Sequence, residues 1–213
     1  STDTLGVQAR KQEALMQDAK IYAAIAYARA NRLNRVTIDA PSARLGIVAS
    51  GKSYRDALEA LEELGIDAAE AARIGIRVFK VAMPWPLEPD SIREFADGLD
   101  EILVIEEKRQ IVEYQLKEHL NWREDVRPRV IGKFDERGEW GAHPRGQWLL
   151  PATADFSVAQ IARVIAARVA RFHTSDMIRT RLAILDAKDV VLGKAVATPA
   201  RPAWYCSCLL YTS

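Results

Sequence analysis

The sequence predicts an α/β protein, with a three-layer, mostly parallel sheet, helices on both faces and a C-terminal helical extension. Four apolar runs that end at turn residues indicate buried strands, at 45–49, 76–82, 102–105 and 129–133. Segments with apolar residues at helical spacing separate these runs. Strands that alternate with helices are typical of parallel sheets, because a parallel neighbour requires a long crossover connection.

The N-terminal part predicts a linker, a helix and a short strand. Residues 1–10 have no apolar period and are expected to be unstructured, whereas 11–31 show helical spacing. Val36-Thr37-Ile38 is typical of a short strand. After the strand 45–49, the pattern predicts a turn at Gly51 and a helix to Leu64, with Gly65 as its C-terminal cap.

The remaining elements follow from caps and turn residues. Asp67 and Glu70 predict a capped helix at 67–73, and further helices are expected at 90–97 and 108–120. The segment 134–151 has no period and is expected to be a loop or hairpin that docks through its tryptophans. Ser157 and Gln160 predict a capping box that opens a helix to about residue 171. A last helix is expected from Ser175 to Leu192, where Gly193 would end it.

These elements divide the chain into four expected parts. Residues 1–40 form a linker helix with a short strand, 41–135 the α/β domain, 136–196 the docking loop with the helical extension, and 197–213 a linker.

Composition limits the classes of protein to consider. The chain has 213 residues, of which 49% are hydrophobic and 28% charged, and its formal net charge is +1, which is typical of a globular protein and does not indicate a nucleic-acid partner. Apolar runs fall short of the roughly 18–20 residues that span a bilayer, so no membrane association is expected. The first residues contain no apolar core of a signal peptide. With only two cysteines, a reduced, cytoplasmic setting is the default expectation.

Residues 46–53 match the phosphate-binding pattern G-x-x-x-x-G-K-S/T, which makes a nucleotide-binding protein one alternative. In a working site of this kind the strand ends before the first glycine, and the residues that follow form a loop whose amides hold phosphate. Here the residues after Gly46 are Ile47, Val48 and Ala49, which favour a strand. We therefore expect no phosphate site, and a capping role for Ser53 rather than an anion contact with Lys52.

The other polar groups of the sequence also favour structural interpretations. Glu106 and Glu107 end a predicted strand, where α/β proteins place ligand groups, but the favoured interpretation is one helix cap and one solvated side chain. The histidines at 119, 143 and 173 lack ligand spacing. The arginines at 163, 168, 171 and 179 are expected on a solvated or interface face. The residues alone therefore assign no catalytic group.

Several motifs in order resemble one family. They are KIYAAIAYARANRLNRVTIDAP, ASGKSYRDALEALEELGID, GIRVFKVAMPWPLEPDSIREFADGLDEILVIEEKRQIVEYQLKE, NWREDVRPRVIGKFDERGEWG and RFHTSDMIRTRLAILDAK. Together they resemble the transketolase C-terminal-like domain of 2-oxoacid:ferredoxin oxidoreductases, and more narrowly the indolepyruvate ferredoxin oxidoreductases. The resemblance covers nearly all of residues 10–207.

The resemblance implies a parent enzyme that uses thiamine diphosphate with Mg²⁺ and 4Fe-4S clusters. Such an enzyme decarboxylates an arylpyruvate, passes electrons to ferredoxin and transfers the acyl group to coenzyme A, commonly as a homodimer. This chain contains no Gly-Asp-Gly motif of the kind that holds the cofactor, so no cofactor is expected on it. Its implied role is architectural, in packing against the other domains of the same enzyme.

The end of the chain departs from the family. Arg201 to Ser207 resemble the entry into the cofactor domain, and Cys206 matches the first cysteine of a cluster motif. Cys208 then comes one residue early, and CLLYTS resembles translated adapter sequence, as in a truncated metagenomic fragment.

If the chain is a fragment of such an enzyme, truncation would leave apolar surface bare at the helix 157–171 and at the loops that contain Trp85, Trp140 and Trp148. A stand-alone interaction module is the further alternative.

Overall fold

The computed structural model describes residues 5–121, 127–140 and 148–195. Its five strands, in chain order, are β1 Arg35–Ile38, β2 Leu45–Ser50, β3 Ile76–Val81, β4 Glu101–Ile105 and β5 Arg129–Ile131. They form one sheet in the order β1-β3-β2-β4-β5, in which β1 is antiparallel to β3 and the other pairs are parallel. The predicted mostly parallel sheet is confirmed.

The helices that the structure describes surround this sheet. They are α1 Leu5–Leu15, α2 Ile21–Ala30, α3 Gly51–Glu63, α4 Ala68–Ile74, α5 Pro89–Ala96, α6 Val112–Asn121, α7 Val158–Val169 and α8 Asp176–Ala195. A π-helical turn, Met16–Lys20, joins α1 to α2.

Two hydrophobic cores lie on opposite faces of the sheet, which confirms the three-layer architecture. One core joins alternate residues of β2, such as Ile47, to α3, α4, α7 and α8. The other joins Val48 to α5 and α6. Because successive side chains of a strand point to opposite faces, the continuous apolar run of β2 supplies both cores.

Local signals set several helix boundaries as predicted. Asp67 accepts a hydrogen bond from the Glu70 amide at the start of α4, and Ser157 forms the predicted capping box with Gln160. The Glu70 side chain instead pairs with Arg73, so the first cap is one-sided.

Three predictions about helices were wrong. Helix α1 begins at Leu5, so residues 5–10 are helical rather than unstructured, because their helix-forming residues need no apolar stripe when they remain exposed. Helix α8 continues through Gly193 to Ala195, since a single glycine weakens a helix without necessarily ending it. The apolar face of the expected helix at 157–171 is not bare: Ile161 and Ile165 of α7 are fully buried against the sheet layer.

Candidate functional site

The carboxyl ends of β2, β3, β4 and β5 meet at one edge of the sheet, which we call the carboxyl edge. Strand β2 has β3 on one side and β4 on the other. In open α/β sheets the crevice between two strands whose connections run in opposite directions is the usual ligand site. The place to look for function is therefore the gap between the ends of β2 and β4.

The end of β2 confirms the strand that the sequence predicts. Residues 45–49 are each in register with a residue of β3 and a residue of β4, and Ile47, Val48 and Ala49 are buried. Because their backbone groups belong to the sheet ladders, they do not curl around a phosphate. Residues 46–53 thus match the phosphate-binding pattern in sequence but do not have the backbone geometry of a phosphate-binding loop.

Both glycines of that pattern have structural explanations. A Cβ at Gly46 would lie 2.6 Å from Leu99 Cδ1 and 2.7 Å from Phe95 Cζ, so this glycine allows α5 to pack closely on β2. Gly51 has a φ of +52°, a left-handed conformation that turns the chain from β2 into α3.

The two side chains after Gly51, those of Lys52 and Ser53, also have structural roles within this domain. Lys52 Nζ lies 2.5 Å from Asp56 Oδ2 and 3.4 Å from Glu107 Oε1, and the hydrogen bond with Asp56 raises the pKa of this lysine. Ser53 is buried in the first turn of α3. The predicted capping role of Ser53 was wrong, because the N-cap position falls on Ser50, whose side chain makes no capping hydrogen bond.

At the end of β4, one of the two glutamates caps the next helix, as the sequence favoured, and the structure shows that it is Glu106. Its carboxylate accepts hydrogen bonds from the backbone amides of Ile111 and Val112, both at 2.9 Å, and of Glu113 at 3.0 Å. Glu107 is partly exposed and pairs with Lys52. The charged pair Lys52–Glu107 therefore spans the gap between β2 and β4.

A buried lysine at the end of β5 was missed by the sequence reasoning. Lys133 is only 1% exposed; its Nζ donates hydrogen bonds to the backbone oxygens of Glu106 and, at 3.2 Å, Pro151, and lies 4.4 Å from the ring centre of Phe156. Burial lowers the pKa of Lys133 to about 8. A signal existed, since in the predicted strand 129–133 Lys133 comes two residues after the apolar Ile131 and would share its side, although the observed strand ends at Ile131.

A second buried carboxylate supports the same region. Glu113, in α6, accepts a hydrogen bond from the Lys133 amide at 3.1 Å and pairs with Lys117 at 2.5 Å. The negative charges of Glu106 and Glu113 favour the protonated form of the Lys133 ammonium and so oppose the effect of burial on its pKa.

The opposite edge of the sheet holds a buried ion pair. Arg168 of α7 donates to both carboxylate oxygens of Glu101, at 2.6 and 2.5 Å, and to Glu136 at 3.1 Å. The hydrogen bond with Glu101 raises the pKa of Arg168, and the one from Arg171 lowers the pKa of Glu136 to about 2. The prediction of a solvated or interface face was therefore wrong for Arg168, which ties α7 to β4.

The other arginines in that group are more exposed. Arg163 pairs with Asp186 and Asp189, and Arg179 pairs with Asp176.

The described histidines and acids do not form a metal centre. In the described ranges, no cluster of His, Cys, Asp or Glu has the geometry to hold a metal ion. His119 Nε2 lies 3.1 Å from the Leu87 oxygen, and the ring of His173 is partly buried in a different region. His143, Cys206 and Cys208 lie outside the described residues, so the predicted cluster ligand is not tested.

The carboxyl edge also carries exposed apolar side chains. Trp85 and Trp140 are 61% and 88% exposed, and Ile111 and Tyr114 are about half exposed. Gln115 links α6 to the Trp85 loop by accepting from the Leu87 amide at 2.8 Å and donating to the Pro84 oxygen at 2.8 Å. We call Trp85, Ile111, Tyr114 and Trp140 the aromatic surface.

Hydrogen bonding connects the aromatic surface to the segment after β5. The Tyr114 hydroxyl donates to Glu139 at 2.8 Å, which places the neighbouring Trp140 at this edge. The ring of Trp148, in contrast, contacts the ring of Phe134, with 4.6 Å between the ring centres. The prediction that Trp148 presents bare apolar surface was therefore wrong.

The described edge does not fit a diphosphate–Mg²⁺ group. Such a group needs free carboxylates or free amides, whereas Glu106 already accepts three amides, Glu113 holds Lys117, and Glu107 holds Lys52. We therefore assign no step of cofactor chemistry to these residues.

A family model described as the indolepyruvate ferredoxin oxidoreductase middle domain matches residues 34–195. The chain belongs to this family. The match covers all five strands and every helix from α3 onwards, while α1 and α2 precede it. Within the described residues, none of the helices has the length and apolar character needed to cross a membrane.

Curated relatives agree with this assignment. The indolepyruvate oxidoreductase subunit IorA of Pyrococcus horikoshii is 36% identical over 75 residues, which are 35% of this chain and 10% of the relative. IorA of Methanothermobacter marburgensis is 32% identical over 86 residues, 40% of this chain and 13% of the relative. The alignments thus span only about a tenth of the length of these relatives.

Two solved structures show partial similarity. A split-gene transketolase, described as an inactive β4 tetramer, has a TM-score of 0.40 at 20% identity and covers 64% of this chain and 42% of its own. A 2-oxoglutarate:ferredoxin oxidoreductase from Magnetococcus marinus has a TM-score of 0.39 at 16% identity, with 64% and 19% covered.

Proposed function

We propose that this domain is an architectural, docking part of a thiamine-diphosphate-dependent 2-oxoacid:ferredoxin oxidoreductase of the indolepyruvate type. The observation that carries the proposal is the family match over residues 34–195. The parent enzyme would oxidatively decarboxylate indolepyruvate or another arylpyruvate, reduce ferredoxin and transfer the acyl group to coenzyme A. The domain would position the parts of the enzyme that hold the cofactors.

The chemistry of the carboxyl edge supports a structural role for this domain. Glu106 caps α6, Lys133 joins the end of β4 to the segment at Pro151, and Lys52 pairs with Asp56. A catalytic acid or base usually has a perturbed pKa and access to a cleft. Lys133 has the first property and lacks the second, because it is almost fully buried.

The aromatic surface supports docking at the same edge. Large exposed apolar side chains that lie together are typical of interaction sites, and Trp and Tyr are enriched where proteins contact each other. We assign another domain of the same enzyme as the occupant of this surface. The reason is that the aligned segment covers only about a tenth of the length of a curated relative. In this proposal Cys206 would be the first ligand of a cluster in the parent, which would work in the cytoplasm as a homodimer.

The test requires the complete enzyme, recovered by extending the reading frame in the source DNA. Coenzyme A-dependent oxidation of indolepyruvate, with reduction of ferredoxin, should be detected. Replacing Trp85→Ser together with Trp140→Ser should lower activity at least about tenfold, because a hot-spot aromatic contributes roughly 2 kcal/mol to an interface. Limited proteolysis should show faster release of this domain.

The matched control replaces two exposed apolar residues elsewhere, Val190→Ser with Val191→Ser. They lie on α8, where the nearby Lys188 contacts Glu63 at the far end of α3, away from the aromatic surface. The control should keep activity. Unchanged activity and unchanged proteolysis in the tryptophan variant would contradict docking at this surface, and an enzyme without 2-oxoacid oxidation would contradict the proposed function itself.

A further inference from the structure

A cleft between α6 and the segment 137–140 is continuous with the aromatic surface. It has a volume of about 390 Å³, and two residues of the aromatic surface, Tyr114 and Trp140, line it. This volume falls within the range of ligand-binding clefts, roughly 300–1,000 Å³. A domain that docks on the aromatic surface would also cover this cleft, so the chemistry of the cleft indicates which group the partner presents there.

The charged side chains that line the cleft are paired within the chain. Glu113 accepts a hydrogen bond from Lys117 at 2.5 Å, and Glu139 accepts one from Arg109 at 2.5 Å. Arg137 lies 2.8 Å from the carboxylate two residues before it. A charged ligand would therefore meet no unpaired opposite charge among the described residues of the cleft.

One polar atom of the cleft lacks a partner. Gln110 lines the cleft and is only 6% exposed, and its Oε1 accepts no hydrogen bond from the described residues. Its Nε2 donates to Glu139 at 3.4 Å, which assigns the two ends of the amide, because the reverse assignment would place an oxygen beside the carboxylate. Buried acceptors nearly always have a partner, so Oε1 is an independent indication of a missing donor.

Aromatic rings form part of the wall of this cleft. The Tyr114 hydroxyl is held by Glu139 at 2.8 Å, and its side chain is about half exposed. Trp140 is 88% exposed, so its ring is accessible. Aromatic rings favour contact with other rings in offset or edge-to-face arrangements. The cleft thus combines a place for a flat apolar group with an acceptor for one neutral donor.

We propose that the docked domain inserts a tyrosine or tryptophan side chain into this cleft, where Gln110 Oε1 accepts a hydrogen bond from its O–H or N–H group. This assignment rests on the proposed docking role and adds the chemistry of the group that the partner presents. Phenylalanine has no donor, and lysine or arginine would bring a charge for which the cleft has no unpaired acid among its described residues. Tyrosine and tryptophan carry a neutral donor on an aromatic ring and are enriched at protein interfaces.

NMR titration of the 213-residue chain with phenol and anisole tests the acceptor directly. The two probes share a ring, but only phenol has a donor. Phenol should bind with a Kd on the order of 1 mM, and anisole about fivefold more weakly, because it cannot donate to Oε1. Benzoate and benzylamine should bind no more tightly than anisole, since the charges of the cleft are already paired.

The variant Gln110→Met keeps the length of the side chain and removes the amide. It should abolish the preference for phenol over anisole. It should not lower the urea midpoint of the chain, because Oε1 has no partner to lose. The matched control is Gln115→Met, also on α6, whose amide accepts from Leu87 and donates to the backbone oxygens of Pro84 and Ile111. The control should lower the urea midpoint and keep the preference for phenol.

The complete enzyme tests whether the cleft receives a protein side chain. Limited proteolysis should release this domain faster in the Gln110→Met enzyme than in the unmodified enzyme. The phenol titration uses the chain by itself and does not depend on activity. An enzyme without 2-oxoacid oxidation would therefore contradict the proposed function while the preference for phenol remained.

Four results would overturn this inference. Equal affinities for phenol and anisole, or tighter binding of benzoate or benzylamine than of phenol, would exclude a neutral donor as the missing partner. A fall in urea midpoint for Gln110→Met as large as for Gln115→Met would show that Oε1 has a partner within the chain. Unchanged proteolysis of the Gln110→Met enzyme would exclude a docked side chain as the occupant.

Discussion

The two ends of β4 both bury a cationic side chain, and they do so in opposite ways. At the amino end, Arg168 meets both oxygens of Glu101, and this contact raises the pKa of the arginine. At the carboxyl end, Lys133 meets two backbone oxygens and an aromatic ring, and burial lowers its pKa to about 8. The charge of Arg168 is therefore compensated by a carboxylate, whereas the charge of Lys133 is compensated mainly by the dipoles of two backbone carbonyl groups.

This difference shows how each end of the sheet is held. A guanidinium can match a carboxylate with two parallel hydrogen bonds, so the Arg168–Glu101 pair joins a helix to a strand with defined geometry. An ammonium has three donors without a fixed plane, so Lys133 can join the end of β4 to the segment at Pro151 without a paired acid. The first contact depends on charge, and the second largely on hydrogen-bond donors.

The largest effect should come from Arg168→Met. It leaves Glu101 buried without its bidentate partner, and breaking a buried ion pair costs about 3–5 kcal/mol. Urea denaturation should show this loss of unfolding free energy. Adding Glu101→Leu should recover most of it, since removing both charges restores a neutral contact, whereas Arg179→Met, on an exposed pair, should cost less than about 1 kcal/mol. Equal losses in the single and double variants would show that the charge pair is not the cause.

A smaller effect is expected from Lys133→Met. At pH 7 the substitution leaves the oxygens of Glu106 and Pro151 without their donor, which costs about 1–3 kcal/mol. Part of that cost is offset because a desolvated charge is removed, so the loss should be smaller than for Arg168→Met. Denaturation under the same conditions measures both.

The pH dependence tests the same lysine with a defined sign. Its folded pKa of about 8 lies below the unfolded value of 10.5, so between these values the unfolded chain binds more protons and stability rises with pH. The stability difference between the unmodified chain and Lys133→Met should therefore widen from pH 8 to pH 10.5, by up to about 3 kcal/mol. A constant difference across this range would mean that Lys133 is not desolvated.

The sequence predicted the strands and helix caps that depend on residues close together in the chain. The strand 45–49, the capping box at Ser157 and Gln160, and a helix cap from one of Glu106 and Glu107 all involve residues within about six positions of each other. Their signals are backbone preference and hydrogen-bonding capacity, which a short window contains.

Contacts between distant segments were beyond that reasoning. Arg168 and Glu101 are separated by 67 positions, so no local pattern could pair them. A partial signal was present, because Arg168 lies three residues after Ile165 and seven after Ile161, on the buried side of α7. The burial of Lys133 depends equally on Phe156 and Pro151, which lie in a segment without periodicity.

The smallest effect is expected at the residue that the phosphate-binding pattern made most conspicuous. Lys52 is 55% exposed and pairs with Asp56 across one helical turn, and exposed pairs of this kind contribute little to stability. Lys52→Ala should therefore leave the urea midpoint nearly unchanged, as should the matched control Arg73→Ala, on another exposed pair. Equilibrium dialysis with Mg-ATP should show no binding to either variant or to the unmodified chain. Micromolar binding that disappears in Lys52→Ala would contradict this prediction. It would require the backbone amides after Gly46 to leave the sheet, because their N–H groups are otherwise bonded to β3 and β4 and cannot donate to a phosphate.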